Sequence, residues 1–79
     1  MTIIEAIKKI AEKEKEINFL IEHESWGAAE GVNNQICHLI NQISDVPAQK
    51  LDHAIALNGL RQLATGGRMS VLPALESLV

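Results

Sequence analysis

The sequence predicts an all-α fold: a small antiparallel bundle of three main helices and a short C-terminal fourth, in a single domain over residues 1–79. Three observations point there. Ile3, Ile7, Ile10, Glu14, Ile17 and Ile21 recur at steps of 4, 3, 4, 3 and 4, which keeps one stripe of a helix turned toward a partner surface. Val32, Ile36, Leu39, Ile40 and Ile43 follow at i, i+4, i+7, i+8 and i+11, a second amphipathic helix. The apolar residues make up 47% of the chain and are mainly Ile, Leu, Val and Ala, with one Phe, one Trp and no Tyr, the aromatic-poor palette of helical bundles.

The first helix is expected over about residues 2–24. Thr2-Ile3-Ile4-Glu5 reads as a capping box, in which the Thr2 hydroxyl accepts from the Glu5 amide and the Glu5 carboxylate reaches back to the first amide. Ile4, Ala11 and Leu20 broaden the apolar face, while Lys8 to Glu16 supplies a solvated charged stripe. Glu14 interrupts the ladder: either the stripe bends past it, or it sets register in a self-paired helix. His23 to Gly27 ends the helix, with Gly27 suited to a left-handed cap and Ser25 able to cap the next helix. Trp26 sits at this corner, as a plug over the core or as an anchor for a partner.

The second helix should run over about residues 28–43. Its outer face carries Glu30, Asn33, Asn34, Gln35, His38, Asn41 and Gln42, rich in amides and almost uncharged. Gly31 costs up to about 1 kcal/mol relative to Ala in a helix, and a close approach to the first helix would account for it. Ser44-Asp45-Val46-Pro47 breaks the chain and offers caps for a third helix over about residues 47–64, with Pro47 in its first turn. In that helix Ala48, Leu51, Ala54 and Ile55 face one way, whereas Ala56, Leu57, Leu60, Leu63 and Ala64 face the other. The switch falls at Asn58-Gly59, and the expected meaning is burial on two sides, one in the domain core and one against a second subunit. Thr65 to Arg68 forms a turn, and a terminal helix over about residues 71–78 presents Val71, Leu72, Leu75, Leu78 and Val79.

Composition narrows the function classes. A chain of this length buries only about 60–70% of its unfolded surface, so self-association or very good packing must make up the difference, and one cysteine permits no internal disulfide. Net charge is −3, with Lys and Arg dispersed, which argues against a phosphate-backbone binder. The lone Cys37 fits a reducing compartment, the N-terminal residues lack a signal-peptide pattern, and no apolar run reaches a membrane span of about 18 residues. The expected location is the cytoplasm.

Little catalytic chemistry is legible. Cys37 and His38 are adjacent and diverge by about 100° on a helix, and His23 and His53 do not form the close pairs that mark zinc sites. No metal site, cofactor or paired-acid centre is implied, and Cys37 reads as a small core residue. The Thr65-Gly66-Gly67-Arg68-Met69-Ser70 turn could cradle an anion through Gly66, Gly67, Arg68 and Ser70, although its spacing matches no nucleotide-binding motif. A helix-turn-helix drawn across Ser44 to Pro47 would present Gln49, Lys50, Asp52 and His53, a poor phosphate-facing set.

These features point to a non-enzymatic interaction protein, a small cytoplasmic regulator, adaptor or inhibitor of the type found among bacterial accessory and phage-encoded products. Its expected partner is another protein, contacted through Trp26, Asn34, His38, Asn41, Arg61 and Arg68. Self-association into a homodimer or higher oligomer is expected through Leu57, Leu60, Leu63, Leu75 and Leu78. The alternative is an oligomer that holds a small anionic ligand or nucleotide at the Gly66-Gly67 turn, and a DNA-binding regulator stands third.

Overall fold

A computed structural model describes residues 1–58, 60–61 and 67–79, and at positions 57, 60, 61, 67 and 68 it describes the backbone alone. The fold is all-helical: α1 (Ile3–Glu22), α2 (Trp26–Asn41), α3 (Ala48–Leu57) and α4 (Leu72–Glu76). Helix α1 packs against α2, α2 against α3, α3 against α4, and α4 returns to α1.

Helices α1 and α2 form an antiparallel hairpin whose two ends are fastened differently. At one end only His23 to Ser25 separate the helices, and Glu24 adopts φ 56°, the left-handed conformation that lets the chain turn. The Ser25 amide donates to the Leu20 carbonyl (2.8 Å) and the Glu24 amide to Ile21 (3.0 Å), the paired bonds of a Schellman closure. Glutamate thus takes the place expected of Gly27, which instead lies inside the first turn of α2. At the other end, the start of α1 meets the loop after α2. The Asp45 carboxylate accepts from the Ile3 amide (2.9 Å), and the Ser44 amide and hydroxyl both donate to the Met1 carbonyl. The capping box is therefore half as expected. The Thr2 hydroxyl accepts from the Glu5 amide (3.3 Å), but Glu5 accepts from the Thr2 hydroxyl, and the first amide belongs to Asp45. Ser44 and Asp45 secure α1 rather than α3, whose N-cap is Pro47, with its carbonyl accepting from Lys50 and Leu51.

The ladder builds the core. Ile3, Ile10, Ile17 and Ile21 of α1 are buried with Ala6, facing Ala29, Val32, Ile36 and Ile40 of α2; Ile43, Leu51, Ala54, Val71 and Leu75 complete the cluster. Ile7 packs against its edge, whereas Ile4 stands mostly exposed on the far side of the helix, outside the face it was expected to widen.

Glu14 is the exception inside the ladder. It neither bends the stripe aside nor faces outward to another copy: it is 5% exposed and points into the core toward the C-terminal segment. The Ser70 hydroxyl donates to Glu14 Oε2 at 2.6 Å and the Val71 amide donates to Oε1 at 3.1 Å. One carboxyl group on α1 thus accepts from the two residues that lead into α4, supplying acceptors where burial without them would be costly.

Helix α3 stops at Leu57, seven residues before the expected Ala64, and Asn58 closes it. Asn58 is 2% exposed, and its side-chain amide donates to the Asn33 carbonyl (3.4 Å) and to Cys37 Sγ (3.1 Å). The switch of apolar side at Asn58 therefore marks the end of the helix and not a helix buried on two sides, and Ala56 is exposed. Cys37 is half-buried and serves as a hydrogen-bond acceptor as well as a packing residue. Beyond the helix, Leu60–Arg61 pairs antiparallel with Gly67–Arg68, a two-residue ladder that leaves the fold class unchanged. Among the described residues no helix is long and apolar enough to cross a membrane.

Candidate interaction surface

Helix α2 buries Ala29, Val32, Ile36 and Ile40, so the residues roughly opposite them look outward. Gly27, Gly31, Asn34, His38 and Asn41 are all exposed and step by 4, 3, 4 and 3, the same cadence as the buried ladder of α1. They form one continuous outer stripe. A Cβ added at Gly27 or at Gly31 would meet nothing within 4 Å. The close approach of α1 expected to account for Gly31 is therefore absent, and both glycines leave the backbone of α2 open to the outside. Farther along, the Gln42 side-chain amide donates to His38 Nε2 (3.0 Å), which fixes the ring against the last turn.

The corner at the start of this stripe carries both aromatic residues of the chain. Trp26 is half-buried against the core, consistent with a plug that keeps one edge in solvent. Phe19, which the sequence reading passed over, is 58% exposed. Its ring lies 4.1 Å from the His23 ring at a tilt of 32°, and His23 Nδ1 donates to the Phe19 carbonyl at 2.9 Å, capping the end of α1. The signal was present: two residues beyond Ile17, a side chain falls on the opposite side of the helix from the ladder.

The remaining expected contact residues separate into distinct places. Asn34, His38 and Asn41 share the α2 stripe, with Trp26 at its head. Arg61 and Arg68 lie on the two paired segments, Arg61 opposite Gly67 and Arg68 opposite Leu60, with their side chains outside the described residues. Of the expected anion-binding turn, Gly66 lies outside the described residues and Gly67 is in the paired segment. Ser70 is described in full. Its hydroxyl donates to Glu14 and accepts from the Leu72 amide, so it is engaged in holding α4.

Among the leucines expected at an oligomer interface, Leu75 is fully buried in the chain's own core, and a second copy could reach it only by replacing that packing. Leu78 is half-buried at the core's edge. Leu63 and the side chains of Leu57 and Leu60 lie outside the described residues.

Comparison with protein families, curated proteins and solved structures gives no match. The reading of this surface thus rests on its own geometry. Among the described residues no group of three or more His, Cys, Asp or Glu side chains is gathered as a metal site would require. What the α2 stripe offers is a low-relief track with Trp26 at its head and amide and imidazole groups to present.

Proposed function

We propose that this chain is a non-enzymatic protein-interaction module, a small cytoplasmic regulator, adaptor or inhibitor that acts by occupying a surface of a larger protein. The observation that carries the reading is the outward stripe of α2. A glycine within a helix costs up to about 1 kcal/mol relative to alanine, and at Gly27 and Gly31 no neighbouring group within the chain fills the space a side chain would take. An incoming helix or strand is the kind of partner that profits from that space, because it can approach the backbone closely. Asn34 and Asn41 then supply neutral amides whose desolvation is far less costly than that of ionised groups, and His38 adds an imidazole between them. Trp26 gives the head of the stripe the aromatic character that binding hot spots favour.

Two substitutions at one position test this. Gly31→Ala fits the open space, whereas Gly31→Leu raises a bulky side chain in the middle of the track without touching the core. Tagged wild-type and variant chains are used to retrieve proteins from a lysate of the source cell. The expected result is one stoichiometric protein held by the wild type and lost with Gly31→Leu. Retention of the same protein at the same level by Gly31→Leu contradicts the reading of α2 as the contact face.

A further inference from the structure

A cleft of about 390 Å3 opens between α3 and α4, lined by Gln49, Lys50, His53, Ala74, Ser77 and Leu78. It lies on different helices from the α2 stripe. Its volume is within the range of small-molecule sites, about 300–1,000 Å3.

The lining is divided by chemistry. Ala74 and Leu78, one turn apart on the C-terminal segment, are half-buried and packed on the core, giving an apolar wall. Ser77 adds little polarity, because its hydroxyl donates to the Ala74 carbonyl (2.7 Å). The facing wall is the first two turns of α3, with Gln49, Lys50 and His53 all exposed. Among the described residues the ion pair found joins Lys13 to Glu16, and neither the Lys50 ammonium nor the His53 ring has a hydrogen-bond or ion-pair partner. No acidic residue lines the cleft; Asp52 and Glu76 are exposed on the same helices outside the lining. The wall also coincides with the positive end of the α3 dipole. The amides of Lys50 and Leu51 bond to the Pro47 carbonyl, while those of Ala48 and Gln49 precede the first helical acceptor.

We propose that this cleft binds an aliphatic carboxylate, with the carboxylate at Lys50 and His53 and the hydrocarbon tail against Ala74 and Leu78. A single ammonium beside one imidazole matches a singly charged head group better than a phosphate dianion. The apolar wall asks for a tail of several carbons.

Sodium octanoate is the probe, followed through the backbone amide resonances of the intact chain. Saturable shifts are expected at Gln49, Lys50, His53, Ala74 and Leu78. Lys50→Gln, an exposed change in the first turn of α3, should weaken binding about fivefold, the scale of a partly exposed charge pair. Octanol tests the charge without any substitution and should bind at least about fivefold more weakly. Acetate tests the tail and should bind at least about tenfold more weakly, because it leaves the apolar wall of Ala74 and Leu78 uncovered. The proposal is overturned by an absence of saturable shifts, by shifts centred elsewhere, or by octanol or acetate binding as tightly as octanoate. Wild-type affinity in Lys50→Gln overturns it equally.

Discussion

The α1–α2 hairpin and the α3–α4 half of this molecule are stabilised in different ways. The hairpin consists of two long helices that meet along matched apolar faces, closed at both ends by backbone and cap hydrogen bonds. Helices of 10 and 5 residues bury a smaller apolar set, Leu51, Ala54, Val71 and Leu75, and two buried polar side chains add to that anchoring. Asn58 ties the end of α3 to Asn33 and Cys37, and Glu14 ties the start of α4 to α1. Apolar burial is non-directional and tolerant, whereas a buried polar clasp specifies one position and is costly to leave half-made. The hairpin should therefore behave as the scaffold, and the C-terminal segment as a part fitted to it.

The largest expected effect comes from the scaffold. Ile36 is completely buried in α2, and Ile36→Ala should destabilise the whole chain by about 2–5 kcal/mol, read as a lower urea midpoint. Leu75→Ala removes an equally buried side chain from α4. Its cost should be smaller, because it cannot exceed the free energy with which α4 docks. Equal losses for the two would break the comparison and make the chain one cooperative unit throughout.

Removing the clasp comes next. Glu14→Ala deprives the Ser70 hydroxyl and the Val71 amide of their acceptor, at a cost of about 1–3 kcal/mol for buried groups left unsatisfied. A loss below about 0.5 kcal/mol in chemical denaturation would show that the groups find water instead.

Two changes on the hairpin should stabilise it. Glu24 occupies the left-handed region at φ 56°, where a side chain costs about 1–2 kcal/mol that glycine avoids. Allowing for glycine's greater unfolded entropy, Glu24→Gly should gain about 0.5–1 kcal/mol. Gly31→Ala should add about 0.5–1 kcal/mol, because its Cβ enters open space. A loss of stability in either, measured by thermal unfolding, would mean that the corner or the stripe is more constrained than its geometry indicates.

The same division separates what was legible in the sequence from what was not. Periodicity located α1 and α2 to within about two residues at each end, because both bury one stripe along their whole length. It overran α3, since the apolar residues after Asn58 continue at spacings that a helix would also produce. What stops the helix is Asn58 turning inward to Asn33 and Cys37, a contact across more than twenty residues that no local pattern encodes. Glu14 stood out as a break in the ladder, but its partners, Ser70 and Val71, are more than fifty residues away. Among the expected contact residues, Asn34, His38 and Asn41 could be placed together because they share one helix. Phe19 lies off the isoleucine ladder, so the periodicity that locates the core says only that its ring faces away from it.

The most direct test of Glu14 as the fastening between the two halves is native-state amide hydrogen exchange on the wild type and Glu14→Ala. The probes are the Leu75 and Ser77 amides, which bond within the C-terminal segment, and the amides of Ile17 and Ile36 in the hairpin. Protection is expected to fall sharply at Leu75 and Ser77 while Ile17 and Ile36 still exchange more slowly, through a separate and larger opening. A uniform loss across all four amides, or no loss at Leu75 and Ser77, would contradict it.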